Sequence, residues 1–452
     1  MTTQARDTSA LSGFYKLSHS ARLERLSGVF ALSDDQISLL RKESSLPHHL
    51  SDLFVENSLG HFSLPLGLVT NLQINGNDYA VPFAVEESSV IAAASNAAKW
   101  VRQSGGFKAE VLSSLMIGQV QILDLDAAAI SAASTTILAH KEELLLKANQ
   151  VHPRLLLRGG GVRDIEVRAF AEAEIPFLVV HILMDTREAM GANLVNTVCE
   201  SLAPEIQDLI GGRVGLRILS NYADRRLFKA SCRIDPELLT LKDSDSPLSG
   251  AQVAQRIVEA YVFAKYDPYR ATTHNKGIMN GVDPVVIATG NDWRAVEAGV
   301  HAFAARSGRY ESLSRWWIDP VGFLNGELTL PLQLGTVGGV TRLHPLAQLS
   351  LQILGNPSAD RLGLIAASTG LASNLAALRA LTTTGIQAGH MKLHAKNVAL
   401  AAGATGAEIE IVAAEMVRSK KISASEAENL LASRLIAAIP KNASVSRDAR
   451  LP

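Results

Sequence analysis

The chain has 452 residues, of which 47% are hydrophobic and 19% charged, with a formal net charge of -1 and a pI near 6.9. That length and apolar content support a large buried core divided among two or three domains. The balanced charge argues against a nucleic-acid or anionic-membrane partner.

Further classes fall away on local grounds. Cys199 and Cys232 are the only cysteines, which excludes a disulfide framework and points to a reducing, cytoplasmic location. The opening "MTTQARDTSALSGFYKL" lacks a signal-peptide apolar core. The densest apolar run, "FLVVHILM", is too short to span a bilayer. The 12 histidines show no metalloprotease or zinc-finger spacing, so no metal is expected.

In chain order, "SARLERLSGVFAL" and "DDQISLLRKES" read as short amphipathic helices. "LGLVTNLQINGNDYAVPFAV" alternates around Asn75-Gly76, a hairpin signal. "EESSVIAAASNAAKWVRQS" reads as a helix stopped by Gly105-Gly106. The middle third then gives strand 118–125, helix 126–150, strands 164–170 and 177–185, helix 189–210 and strand 212–220. This β-α-β-β-α-β order is that of a ferredoxin-like split arrangement. A helix around 250–266 follows. "THNKGIMNG" reads as a loop that carries Lys276, and "WRAVEAGVHAFAARSG" as a helix. Region 314–340 reads as turns and strands, and the remainder as Ala-rich helices broken at "TTTG" (382–385) and stopped by Pro440. The expected architecture is α+β: a helical large domain (1–110 and 221–383), an inserted small domain (111–220) and a C-terminal helical flap (384–452).

The residue patterns alone leave function open. Neither G-x-G-x-x-G nor a P-loop is present. "EAMGANLVN" opens a helix directly after a strand, where Gly191 permits close backbone approach and first-turn amides suit a phosphate. Taken singly, Glu86 and Glu87 read as solvated carboxylates at a helix N-terminus, Asp292 as a helix cap, and Arg270 as a surface arginine. His390 and His394 stand at i, i+4 without a third metal ligand in view.

Several segments together resemble one family. They are "ENSLGHFSLPLG", "VEESSVIAAAS", "AMGANLVNT", "DPYRATTHNKGIMNGVDPVVIATGNDWRAVEAG", "GTVGG" and "GHMKLHAKN". They are similar to 3-hydroxy-3-methylglutaryl-coenzyme A (HMG-CoA) reductases of the soluble bacterial class, over about residues 10–440. The resemblance implies a four-electron reduction of HMG-CoA to mevalonate and CoA, through a mevaldyl-CoA hemithioacetal and mevaldehyde. It implies Glu87, Lys276, Asp292 and His390 as catalytic residues. Lys276 would stabilise the developing oxyanion, and a protonated Glu87 would donate, which a partly dry pocket favours. Asp292 would balance both electrostatically, and His390 would protonate the departing thiolate. The proton on the aldehyde oxygen comes from either Glu87 or Lys276.

The same resemblance implies substrate binding by Arg270, Asn280, Ser89 and Asn221. It implies cofactor binding by His152, Arg154, Glu188, Met190, Gly191, Ala192 and Asn193. A homodimer with the active site at its interface is expected, with dimers able to assemble further. Two positions depart from the family pattern. Glu188 stands where aspartate is common, and His152 where NAD-preferring relatives carry an acidic residue. A carboxylate there would repel the 2′-phosphate of NADPH. Its absence, with Arg154 and Arg158 nearby, favours NADPH over NADH and a biosynthetic direction. The rival readings are a reductase of another acyl-CoA thioester and a non-catalytic CoA-binding protein.

Overall fold

The structure, a computed structural model, describes residues 11, 13–41, 46–241, 247–383 and 385–438. The described residues form two compact units. The first runs to Glu86 and resumes over Val90–Arg379; the second comprises Glu87–Ser89 and the residues from Ala380 onward.

The first unit opens with three short helices, α1 (His19–Phe30), α2 (Asp34–Arg41) and α3 (His48–Phe54). The hairpin of β1 (Leu66–Ile74) and β2 (Asn77–Ala84) turns at Asn75-Gly76, both left-handed, as the sequence predicts. Helix α4 (Val90–Gln103) buries Val90, Ala94, Ala97, Ala98 and Val101, a stripe of helical period that packs on β1.

After the short β3 (Lys108–Val111) comes a continuous block of alternating elements. These are β4 (Leu115–Leu123), α5 (Ala127–Ala139), α6 (Lys141–Val151), α7 (Pro153–Leu157), β5 (Gly161–Phe170), β6 (Phe177–Asp185), α8 (Ala192–Ile210) and β7 (Arg213–Ser220). Its four strands form one antiparallel sheet in the order β5-β6-β4-β7. That is the strand order of the ferredoxin-like arrangement, and the mixed α and β class is as expected. The block has an apolar core of its own, built on Met116, Val120, Ile165, Val180, Val198 and Leu202. The single helix expected over 126–150 is instead two, because the backbone turns at His140 (φ -101°, ψ 14°). The turn lets both halves lie on β5, burying Ile130 and Ile137 from one and Leu144 and Ala148 from the other.

The rest of the unit comprises β8 (Leu227–Ile234), α9 (Gly250–Tyr266), α10 (Pro268–Ala288), α11 (Trp293–Ala304), β9 (Ser314–Ile318), β10 (Leu324–Pro331), α12 (Gly339–Leu343), α13 (Pro345–Ile353) and α14 (Ala359–Thr382). A second antiparallel sheet, β3-β8-β10-β9, lies in the larger core with α10 and α14. Among the described helices only α14 is long and apolar enough to cross a membrane, and 72% of its apolar window is buried inside the protein.

The expected loop around Lys276 is absent: Lys276 lies within α10. Asn275, Gly277, Gly281 and Pro284 mimic turn composition, but tertiary packing overrides propensity here. A Cβ on Gly281 would stand 2.2 Å from the Thr369 carbonyl of α14, so the glycine permits a backbone-to-backbone crossing rather than a turn. The Asn275 amide, fully buried, donates to the Glu311 carbonyl (2.9 Å) and accepts from the Leu313 amide (3.0 Å).

The second unit is helical: α15 (Ile386–Ala401), α16 (Ala407–Ser419) and α17 (Ala424–Ala438). They share a small core of Ala395, Ala399, Val412, Ala413, Met416 and Ala427. The stop expected at Pro440 lies outside the described residues.

Candidate active site

Helix α10 carries three of the candidate residues. Asp267 caps it, accepting from the Arg270 amide (2.9 Å), and Pro268 occupies the first helical position. Lys276 and Asn280 stand at i, i+4 on one stripe, exposed and half-buried respectively. Arg270 is half-buried in the first turn, and burial lowers its pKa from the usual arginine range. The opposite face anchors the helix. His274 is buried with Nε2 2.7 Å from Ser314 Oγ and 3.1 Å from Asn374 Nδ2, and burial pushes its pKa down to about 3. Lys276 therefore projects from a rod fixed on both sides of its Cα.

Asp283, one turn beyond Asn280, bonds to the carboxylate of Glu297 on α11, which pairs with His301 Nε2 at 2.6 Å. Burial and the neighbouring Glu297 hold Asp283 protonated well above the carboxylate range. His301 Nδ1 lies 2.7 Å from the Tyr310 hydroxyl, which also bonds to Asn275. The circuit leaves α10 at Asp283 and returns beside Lys276. Its members were not singled out from the sequence, where each looks like an isolated surface group.

Asp292 is the N-cap of α11. It accepts from the amides of Arg294 (3.0 Å) and Ala295 (3.2 Å) and pairs with the Arg294 guanidinium. The capping reading of the sequence therefore holds. Its neighbour Asn291 donates to the Gly335 carbonyl (3.0 Å) and accepts from the Gly335 amide (2.7 Å). Asn221, exposed after β7, lays its carbonyl against Gly299 of α11, where a Cβ would stand 2.6 Å from it, and that carbonyl accepts from Gln333 at 3.3 Å.

Glu87 lies between β2 and α4, half-buried and three residues before the first helical position, so it stands outside the first turn. Ser89 follows with φ 74° and a buried hydroxyl that lacks a partner among the described residues. These residues group with the second unit, where α15 carries His390 and His394 one turn apart. The side chain of His390 lies outside the described residues.

Of the expected cofactor residues, Gly191, Ala192, Asn193 and His152 meet at the start of α8. Gly191 (φ 105°) sits where a Cβ would stand 2.4 Å from Thr186 Cγ2. Among the described residues no side chain caps the helix that follows, so its leading amides suit an anion. Ala192 and Asn193 form the first turn, and His152 donates from Nε2 to the Leu194 carbonyl (3.1 Å) in that same turn. Arg154 is exposed on α7. Met190 contributes its carbonyl to the buried Arg226 (3.3 Å). The Glu188 carboxylate accepts from Thr336 Oγ1 (3.0 Å) and from the leading amide of α14 at Ala359 (2.7 Å). Arg226, 1% exposed, was not legible in "ADRRLF".

A profile of the family described as hydroxymethylglutaryl-coenzyme A reductase matches residues 20–395. The chain belongs to that family. Among curated relatives, the 3-hydroxy-3-methylglutaryl-coenzyme A reductase of Archaeoglobus fulgidus is 46% identical over 94% of each chain. The probable reductase of Borreliella burgdorferi is 39% identical over 76% of this chain and 77% of its own. A solved reductase from Streptococcus pneumoniae superposes with a TM-score of 0.79 at 46% identity, covering 94% of this chain and 99% of that one. A class II reductase from the same organism, bound to NADPH in open conformations, gives 0.78 at 47% identity over 82% and 99%. As a member of this family, at such identity over most of its length, the chain is an oxidoreductase.

Proposed function

We propose that the protein reduces HMG-CoA to mevalonate and CoA, consuming two NADPH and two protons. The observation that carries the reading is the joint presence of Lys276 on the open stripe of α10, Arg270 in its first turn and the uncapped α8 N-terminus, in a chain of this family. NADPH, when bound, supplies a hydride to each of the two carbonyl stages. The α8 amides and Gly191 would hold the pyrophosphate, with His152 and Arg154 on the side of the adenine ribose.

Arg270 pairs with the distal carboxylate of the substrate, a contact that orients the thioester. Lys276 stabilises the oxyanion that forms as the carbonyl carbon is reduced, and Asn280 orients the same oxygen. Collapse of the hemithioacetal breaks the C–S bond, and His390 gives the leaving thiolate its proton. Reduction of the aldehyde repeats the oxyanion step, and Glu87 or Lys276 donates the final proton. Asp292 offsets the local positive charge while capping α11. Ser89 and Asn221 complete the substrate contacts, and Glu188 and Met190 act through the loop before α8.

A homodimer completes the site in this reading. Leu59 and Phe62 of "ENSLGHF" are fully or nearly fully exposed (103% and 96%) in the single chain, an apolar area that a second copy would cover.

The test is oxidation of NADPH and of NADH with HMG-CoA and with an acyl-CoA that lacks a distal carboxylate. Oxidation with HMG-CoA alone, faster with NADPH, is expected. Equal rates with both thioesters would favour the other acyl-CoA reductase, and a much higher kcat/KM with NADH would overturn the reading of His152.

A further inference from the structure

Arg226 immediately precedes β8 and is 1% exposed. Its Nη1 donates to Thr186 Oγ1 (3.2 Å) and to the carbonyls of Ala189 (3.2 Å) and Met190 (3.3 Å). Its Nη2 donates to the Leu334 carbonyl (2.7 Å). One planar fork thus spans two segments far apart in sequence: the turn that delivers Gly191 to α8, and the strand exit before Gly335. Lysine, a single point of charge, cannot reproduce that geometry.

The two segments touch at Gly335. A Cβ there would stand 2.4 Å from the Met190 nitrogen, and Thr336 donates to the Glu188 carbonyl at 2.8 Å. From Gly335 the contact passes to Asn291 by the paired hydrogen bonds already described, and Asn291 adjoins Asp292. An unbroken series of contacts therefore joins the α8 N-terminus to the α11 N-terminus.

Resting on the proposed reductase function, we propose that Arg226 and Asn291 are positioning residues that fix the register of the nicotinamide cofactor on the catalytic aspartate. Neither residue touches the reacting atoms. They hold the Thr186–Met190 turn and Gly335 as one body, so that the cofactor held by α8 meets a substrate held by α10 at hydride-transfer distance. Bringing reacting atoms to about 3–3.5 Å is sensitive enough that a displacement of about 1 Å costs on the order of a hundredfold in rate. Burial lowers the pKa of Arg226 only to about 10, so its charge persists at neutral pH.

The experiment compares full-length wild type with Arg226→Lys and Asn291→Ala. Four quantities are read: kcat and KM for NADPH, the Kd for NADPH by fluorescence titration, the Kd for HMG-CoA without cofactor by calorimetry, and the deuterium isotope effect with NADPH labelled at the transferred position. Loosened register should raise KM for NADPH and lower kcat, each by about tenfold or more, and enlarge the isotope effect. HMG-CoA affinity should stay within about twofold of wild type, because α10 is untouched. A folded variant with wild-type kcat and KM overturns the proposal, as does a parallel loss of HMG-CoA affinity, which would signal general damage. If Arg226→Lys does not fold, Asn291→Ala decides. A wild-type protein that binds NADPH without oxidising it in the presence of HMG-CoA overturns the proposed function instead, and the clamp is then read from the NADPH Kd of the variants. Wild type that does not bind NADPH overturns both.

Discussion

Lys276 and His274, two residues apart, show how one helix assigns opposite tasks to its two faces. Lys276 faces outward and carries the proposed oxyanion role. Replacing it with alanine should lower turnover by roughly 10²–10³ while leaving thioester affinity intact, since the interaction forms only as charge develops. Near-normal turnover in the folded variant would remove Lys276 from the mechanism. His274 faces inward and stays neutral, with a pKa near 3 against 6.5 for the free side chain. The unfolded chain therefore binds a proton below pH 6.5 that the folded protein refuses. The stability that His274 contributes is full above pH 6.5 and is lost as pH falls toward 3, by about 1.4 kcal/mol per unit. Denaturant unfolding at pH 7.5 and 5.5 should show a steeper loss in wild type than in His274→Asn. Equal slopes would contradict the assignment of a neutral buried imidazole.

Among the elements, α10 departs most from its sequence reading. Asn275, Gly277, Asn280, Gly281 and Pro284 carry the local signals of a loop, and those signals ignore what α14 does to the backbone. Gly281→Ala should cost about 1–3 kcal/mol by overpacking, because the new methyl meets a backbone carbonyl that has little room to yield. It should also lower turnover, since Lys276 rides on the same helix. An unchanged denaturant midpoint would mean that α10 and α14 separate without cost. The β-α-β-β-α-β block was far more legible. Its strands alternate or run apolar between Gly-rich turns, a pattern set by local chemistry that survives folding. The break at His140 was hidden because both flanking helices have helical composition, and only packing on β5 calls for the turn. The candidate catalytic residues could be nominated from the sequence because each stands in a long, specific motif. Arg226 and Asn291 could not, because their roles come from contacts more than a hundred and more than forty residues away in sequence.

On the scale of the whole molecule, the proposed reaction is a reduction in two stages that consumes two hydrides per thioester. Arg270, Lys276 and the α8 N-terminus support a single stage equally well. The second stage requires the aldehyde to be retained and reduced by a second cofactor molecule. The most direct measurement is the stoichiometry of one closed reaction, with HMG-CoA limiting and NADPH in excess, following cofactor absorbance and free CoA thiol together. Two NADPH oxidised for each thiol released, with mevalonate as the product, is the expected result. One NADPH per thiol, with free aldehyde accumulating, or no oxidation at all, would contradict the assignment.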